Sequence, residues 1–222
     1  MKPVTAIVFK DIVIGLRNKE SISAMLMFGV LILVTFTFAF PAGGPVDRNL
    51  IAPGLLWVAF SFAGILGLNR SLNIETDNDC LQGLLLGPLS RGSLYFGKVC
   101  SNLAFALIAE VIILPVFIIF NSLLFDLRVV WILGISILGT LGFVCIGTTL
   151  SMISAQTRMK EVMLPILQIP MTLPVVISAV VATDMVLRRE TSGISFPLSV
   201  LGIFSTVYLT GSYFVFEYIV EE

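Results

Sequence analysis

Histidine is absent from the 222 residues of this chain, and charged residues are scarce. The first absence removes the commonest metal ligand and general base of proteins. Charged residues make up 12% of the chain, against about 25% in soluble domains, so a soluble globular domain is excluded. Disorder is excluded as well, because 57% of the residues are apolar.

Further absences narrow the function. The net charge of −1 provides no basic surface, so we expect no nucleic-acid partner. The three cysteines, Cys80, Cys100 and Cys145, form no C-x-x-C motif, which argues against a redox pair or a disulfide framework. The chain has no P-loop sequence for binding phosphates and no H-E-x-x-H motif. Glu110 is the one carboxyl group in the long apolar runs, so no catalytic pair is evident there, and we expect that the chain is not an enzyme.

Long apolar runs are what the sequence has in abundance, with a mean hydropathy of +1.04. A membrane-spanning helix needs about 20 mainly apolar residues. Six runs reach this length, at 22–40, 50–68, 101–125, 129–155, 162–183 and 196–216. None of them alternates as the strands of a membrane barrel do. The sequence predicts an all-α integral membrane protein with one six-span domain over 1–222.

The positive charges predict the orientation of these spans. Nine lie in connections on one side, namely Lys2, Lys10, Arg17, Lys19, Arg70, Arg91, Lys98, Arg158 and Lys160. Four lie on the other side, namely Arg48, Arg128, Arg188 and Arg189. Cytoplasmic connections carry the excess of Lys and Arg, so we expect both termini in the cytoplasm.

The first 21 residues have the pattern of an interfacial helix. Apolar residues recur at every fourth position, at Val4, Val8, Ile12 and Leu16. Such a helix lies in the membrane surface with its apolar side toward the lipid. The alternative is an ordinary cytoplasmic extension of the first span.

The connection at 69–100 is the only long hydrophilic segment of the chain. Three acids, Glu75, Asp77 and Asp79, precede an apolar run that starts at Leu81 and stops at Gly87-Pro88. Acids favour the start of a helix and proline its end, so we expect a helix of two to three turns. Its leucines, Leu81, Leu84 and Leu85, would share one side. A lone helix of that length is marginal in water and needs a surface on which to dock.

Three motifs lie in this part of the chain. They are 52–60 (Ala-Pro-Gly-Leu-Leu-Trp-Val-Ala-Phe), 68–71 (Leu-Asn-Arg-Ser), and 79–91 (Asp-Cys-Leu-Gln-Gly-Leu-Leu-Leu-Gly-Pro-Leu-Ser-Arg) followed by Gly97-Lys98. In these motifs, in length and in span count the chain resembles the CcmB family, the permease subunits of the ABC-type complex of cytochrome c maturation. The last motif is shared more widely by ABC-2-type permeases.

The resemblance implies a function and a set of partners. The segment between spans two and three would be a coupling helix that docks on a separate ATP-binding subunit. The contact residues would be Glu75, Asp77, Asp79, Leu81, Leu84, Leu85, Pro88 and Arg91. The other partners would be a second copy of the chain, a haem-handling membrane subunit (CcmC-like), a small membrane subunit (CcmD-like) and the lipid bilayer, with a CcmA-like subunit as the ATPase.

In such a complex, ATP hydrolysis would drive the release of a haem-loaded chaperone in the bacterial cytoplasmic (inner) membrane. Haem and ATP would be handled by the complex, and this chain would bind no cofactor or metal itself. The alternative within the superfamily is an ABC-2 exporter of a lipid, a polysaccharide or a drug.

Two features inside the predicted spans remain open. Glu110 is a carboxyl group in the third span, where it either hydrogen-bonds across the bundle or has a mechanistic or subunit-contact role. Pro165, Pro170 and Pro174 interrupt the fifth span and indicate a hinge, a re-entrant turn or a static kink.

Glycines in the fourth span, such as Gly139 and Gly147, predict close helix packing.

Overall fold

The computed structural model describes residues 2–17, 19–40, 48–77, 90–121, 127–155, 157, 159–190 and 192–219. Within these ranges the chain forms seven helices and no strand. They are α1 (Lys2–Arg17), α2 (Lys19–Ala39), α3 (Arg48–Asp77), α4 (Arg91–Phe120), α5 (Leu127–Ala155), α6 (Lys160–Leu187) and α7 (Ser195–Ile219).

Six of these helices, α2 to α7, are long and apolar enough to cross a membrane. The predicted all-helical, six-span membrane fold is confirmed. The start of α4 packs against the end of α7, where the rings of Tyr95 and Phe216 are 5.4 Å apart. Helix α1 reaches the same end, because Ile7 contacts Gly97 of α4. The N-terminal helix and the last turns of α7 therefore lie at one end of the bundle.

Helix α4 differs in its limits from the predicted third span at 101–125. It starts ten residues earlier, at Arg91, and it ends at Phe120. Ser90 caps its start by accepting a hydrogen bond of 3.3 Å from the backbone N–H of Ser93. Leu94 and Tyr95, in the first turns of α4, are buried inside the bundle. This stretch was expected to be part of a polar connection because it contains Lys98.

Helix α3 also extends beyond its predicted span, through Asp77. Glu75 and Asp77, expected ahead of a short helix, lie instead in the last turn of α3. At 30 residues each, α3 and α4 are about 45 Å long, against about 30 Å for the hydrocarbon core of a bilayer. Both helices are therefore long enough to project from the membrane on either side of residues 78–89.

Close packing at the other end of the bundle centres on Trp57 of α3. Its indole N–H donates a hydrogen bond of 3.0 Å to the hydroxyl of Thr183 on α6. Its ring lies on Gly139 of α5, where a Cβ atom would overlap the indole. One side chain thus joins three helices, and the absence of a side chain at position 139 makes this possible.

Helix α6 runs without interruption through Pro165, Pro170 and Pro174. The prediction of a re-entrant turn at these prolines is therefore wrong. Each proline still removes one backbone hydrogen bond, and the hinge stays a prediction.

We predict that Gly139→Ala destabilises the protein by about 1–3 kcal/mol, because the new methyl group would overlap the ring of Trp57. Gly134→Ala is the matched control, since no atom lies within 4 Å of a Cβ at that position of the same helix. Thermal unfolding in detergent measures both. Equal unfolding temperatures for the two variants would contradict the packing role of Gly139.

Candidate functional site

Three of the predicted docking residues lie where α3 ends and α4 begins. Arg91 is the first residue of α4 and is half-buried. Glu75 and Asp77 end α3. The remaining predicted contacts, Asp79, Leu81, Leu84, Leu85 and Pro88, lie outside the described residues. The structure thus places both flanks of the predicted segment at one end of the bundle, and the contact itself stays a prediction.

The first turns of α4 are held by aromatic side chains of α7. The ring of Tyr213 stacks on that of Phe96, with 5.6 Å between the ring centres. The same ring covers Gly92, since a Cβ atom on Gly92 would lie only 2.8 Å from Tyr213 Cε2. Tyr95 is fully buried between Tyr213 and Phe216. The helix that follows the predicted docking segment is therefore fixed to the bundle from its first turn.

Helix α1 packs on the same turns of α4 from another side, and its contact side differs from the predicted pattern. The residues that face α4 are Ile7, Asp11 and Gly15, not the series that starts at Val4. Phe9 is 70% exposed and points away from this contact. Ile7, which is not part of that series, is buried, because α4 covers this side of α1.

An ion pair lies at the centre of the contact between α1 and α4. The ammonium group of Lys98 is 2.8 Å from Asp11 Oδ2, and the same oxygen accepts a hydrogen bond of 3.2 Å from Ser101 Oγ. Lys10 Nζ lies 3.0 Å from Asp11 Oδ1. Lys98 is only 1% exposed, so its charge depends on protein partners rather than on water.

Sequence reasoning missed this ion pair. The available signal was the position of Asp11, which lies four residues after Ile7 and four before Gly15. An acid in the middle of a side of small and apolar residues indicates a buried partner of opposite charge. The partner is 87 residues away along the chain, and no local pattern identifies it.

Deeper in the membrane, α4 and α5 are joined by two pairs of polar side chains. Asn102 Nδ2 donates a hydrogen bond of 3.0 Å to Thr148 Oγ1. Eight residues further along α4, Glu110 accepts a short hydrogen bond from Thr140 Oγ1. Glu110 is buried within the chain, so the structure favours the hydrogen bond across the bundle over a contact with another subunit.

A third polar group is buried between α5 and α6. The amide of Gln168 is fully buried and lies beside Gly147, where a Cβ would be 2.6 Å from Nε2. Among the described residues neither amide atom of Gln168 has a hydrogen-bond partner. The same residues include no group of three Asp, Glu, Cys or His side chains that could hold a metal ion. Among the described residues, the buried polar groups thus form separate pairs or stand alone, and none of them forms a metal-binding cluster.

We predict that Thr140→Val destabilises the protein by about 1–2 kcal/mol, because it removes the hydroxyl that hydrogen-bonds to Glu110. Combining it with Glu110→Leu should recover most of the loss, since no buried carboxyl then lacks a partner. Thr206→Val is the control, as the hydroxyl of Thr206 bonds only within its own helix, to Gly202 O at 2.8 Å. Thermal unfolding of Thr140→Val, Glu110→Leu, the double variant and Thr206→Val tests this, and additive losses in the double variant would contradict it.

The sequence of the chain is similar to those of known proteins. The family model described as "CcmB protein" matches residues 2–221. A protein of Haemophilus influenzae named heme exporter protein B is 26% identical over 176 residues, which cover 78% of this chain and 77% of that protein. A protein of the same name from Pseudomonas aeruginosa is 25% identical over 164 residues, covering 72% of this chain and 71% of that protein. The chain belongs to the CcmB family.

Proposed function

We propose that this chain is the membrane subunit of an ABC-type haem export complex that serves cytochrome c maturation. The observation that carries the proposal is the family match over residues 2–221, supported by relatives named heme exporter protein B. The six apolar helices fit a permease. An exporter of lipids, polysaccharides or drugs would have a similar fold, but no feature of this chain favours such a substrate.

The chain would couple ATP hydrolysis by a separate subunit to the release of a haem-loaded chaperone. The sequence has no P-loop, so the ATPase belongs to a partner (CcmA-like). That partner would dock on 75–91, between two helices that are long enough to project from the membrane. A second copy of the chain and CcmC-like and CcmD-like membrane subunits would complete the complex.

Replacing Leu84 and Leu85 together by Asp should release the ATPase subunit from the complex. Burial of one leucine contributes roughly 1.5–3 kcal/mol, so losing two buried leucines weakens the contact on the order of a hundredfold or more. Co-purification of the ATPase and the yield of cytochrome c are the measurements. No transmembrane helix is changed, and membrane insertion should be normal.

Leu86→Asp is the matched control for this experiment. At about 100° per residue, position 86 would lie roughly opposite Leu81, Leu84 and Leu85 if the segment is helical. We expect this variant to keep most of its ATPase subunit. Normal co-purification and normal cytochrome c yield in the Leu84, Leu85 double variant would refute docking at this segment.

We propose that the end of the bundle that includes α1 and the start of α4 faces the cytoplasm of a bacterial inner-membrane protein. The nine-to-four distribution of positive charges supports this orientation. Reporter fusions at the C-terminus should report a cytoplasmic location, and fusions within 41–49 a periplasmic one. A periplasmic C-terminus would place 75–91 out of reach of any ATP-hydrolysing subunit.

We also propose that haem iron is ligated by another subunit. His, Cys, Met and Tyr are the protein ligands of haem iron; this chain has no histidine, and Cys80 and Cys100 lie on the side proposed to be cytoplasmic. Titration of the purified chain with haem should give no stoichiometric shift of the Soret band. A stoichiometric shift that substitution of a Met or Tyr abolished would contradict the proposal.

A further inference from the structure

Helix α1 lies along the first four turns of α4 in matching order. Ile7 contacts Gly97, Asp11 contacts Lys98 and Ser101, and Gly15 contacts the ring of Phe105. The order is the same on both helices, so they run in the same direction along the contact. Glycine on one helix meets a large side chain of the other at both ends of the contact, which lets the backbones approach closely.

The ion pair in the middle of this contact opposes separation of the two helices. The side chain of Lys98 is 2% exposed and that of Asp11 is 12% exposed. While the pair is intact, each charge stabilises the other in surroundings that contain little water. If α1 moves away, Lys98 is left buried without this carboxylate, so partial separation of the helices is disfavoured.

The attachment lies immediately after the segment on which the ATPase subunit is proposed to dock. Lys98 is eight residues after the Ser90 cap of α4, which is about 12 Å along the helix. A displacement of the docking segment reaches α4 first, and through the ion pair it reaches α1.

We propose that Asp11 and Lys98 are positioning residues for energy coupling: they attach α1 to the first turns of α4, so that the ATPase subunit moves the two helices as one unit. This inference rests on the proposed function. It assigns α1 to the coupling apparatus, and it makes the attachment between the helices, rather than the charges themselves, the property that coupling requires.

The test uses the complete complex with its ATPase subunit. Asp11→Asn should lower the yield of cytochrome c on the order of tenfold or more while the ATPase subunit still co-purifies, because residues 75–91 are unchanged. Asp11→Leu combined with Lys98→Met should restore most of the yield. An apolar pair of similar volume can replace a buried ion pair without loss of stability.

Attachment of α1 is measured separately by disulfide cross-linking. A Cβ on residue 97 would lie 3.0 Å from Ile7 Cβ, close to the range of about 3.5–4.5 Å in disulfides. The pair Ile7→Cys and Gly97→Cys, with Cys80 and Cys100 changed to Ser, should therefore cross-link rapidly in the purified complex. Adding Asp11→Asn should slow it several-fold. Phe9→Cys with Gly97→Cys is the control and should not cross-link.

Three results would overturn the inference. The first is cross-linking that Asp11→Asn leaves unchanged, since the ion pair would then not attach α1. The second is normal cytochrome c yield in a variant whose cross-linking is lost. The third is failure of the Asp11→Leu, Lys98→Met variant to mature cytochrome c although it cross-links through positions 7 and 97. A wild-type complex that contains no ATPase subunit would instead refute the proposed function.

Discussion

Burial of polar side chains along α4 determines which helices surround it. Inside a membrane neither lipid nor water hydrogen-bonds such groups, so a partner in the protein stabilises a buried polar side chain strongly. Lys98 and Ser101 find Asp11 on α1, whereas Asn102 and Glu110 find threonines on α5. The apolar surfaces of the helices alone would permit many arrangements, because all six spans are similarly hydrophobic. These few pairs select one of them.

The two pairs between α4 and α5 also fix the register of these helices. Asn102 and Glu110 are eight residues apart, as are their partners Thr148 and Thr140 in the opposite direction. The helices are therefore antiparallel. A slip of one residue would turn every polar side chain by about 100°, away from its partner. Register is thus determined at two points about 12 Å apart.

The sequence was sufficient to predict the six spans, because length and hydropathy act directly on whether a helix can cross the membrane. It was insufficient at the start of α4, where Lys98 was assigned to a polar connection. Asp11 lies beside it and stabilises its charge, and that proximity is a property of the folded chain. Likewise Glu110, as the one carboxyl group in its predicted span, indicated a hydrogen bond across the bundle. Many hydroxyl side chains could have supplied that bond, so the sequence did not identify Thr140 as the partner.

Helix α6 shows another limit of sequence reasoning. Its three prolines suggested a break, yet the helix is continuous. The carbonyl groups that lose a backbone donor are those four residues before each proline, at Glu161, Ile166 and Pro170. The loss of three separate hydrogen bonds does not end a helix that keeps the rest of its backbone bonds.

The position of Trp57 has a consequence for spectroscopy. The chain has two tryptophans: Trp57 is buried and hydrogen-bonded to Thr183, whereas Trp131 is 42% exposed on the outside of the bundle. A quencher dissolved in the lipid reaches Trp131 and not Trp57. The emission of Trp57 that remains therefore reports on the contact among α3, α5 and α6, so the chain contains an intrinsic fluorescent probe at the end of the bundle opposite the α1–α4 contact.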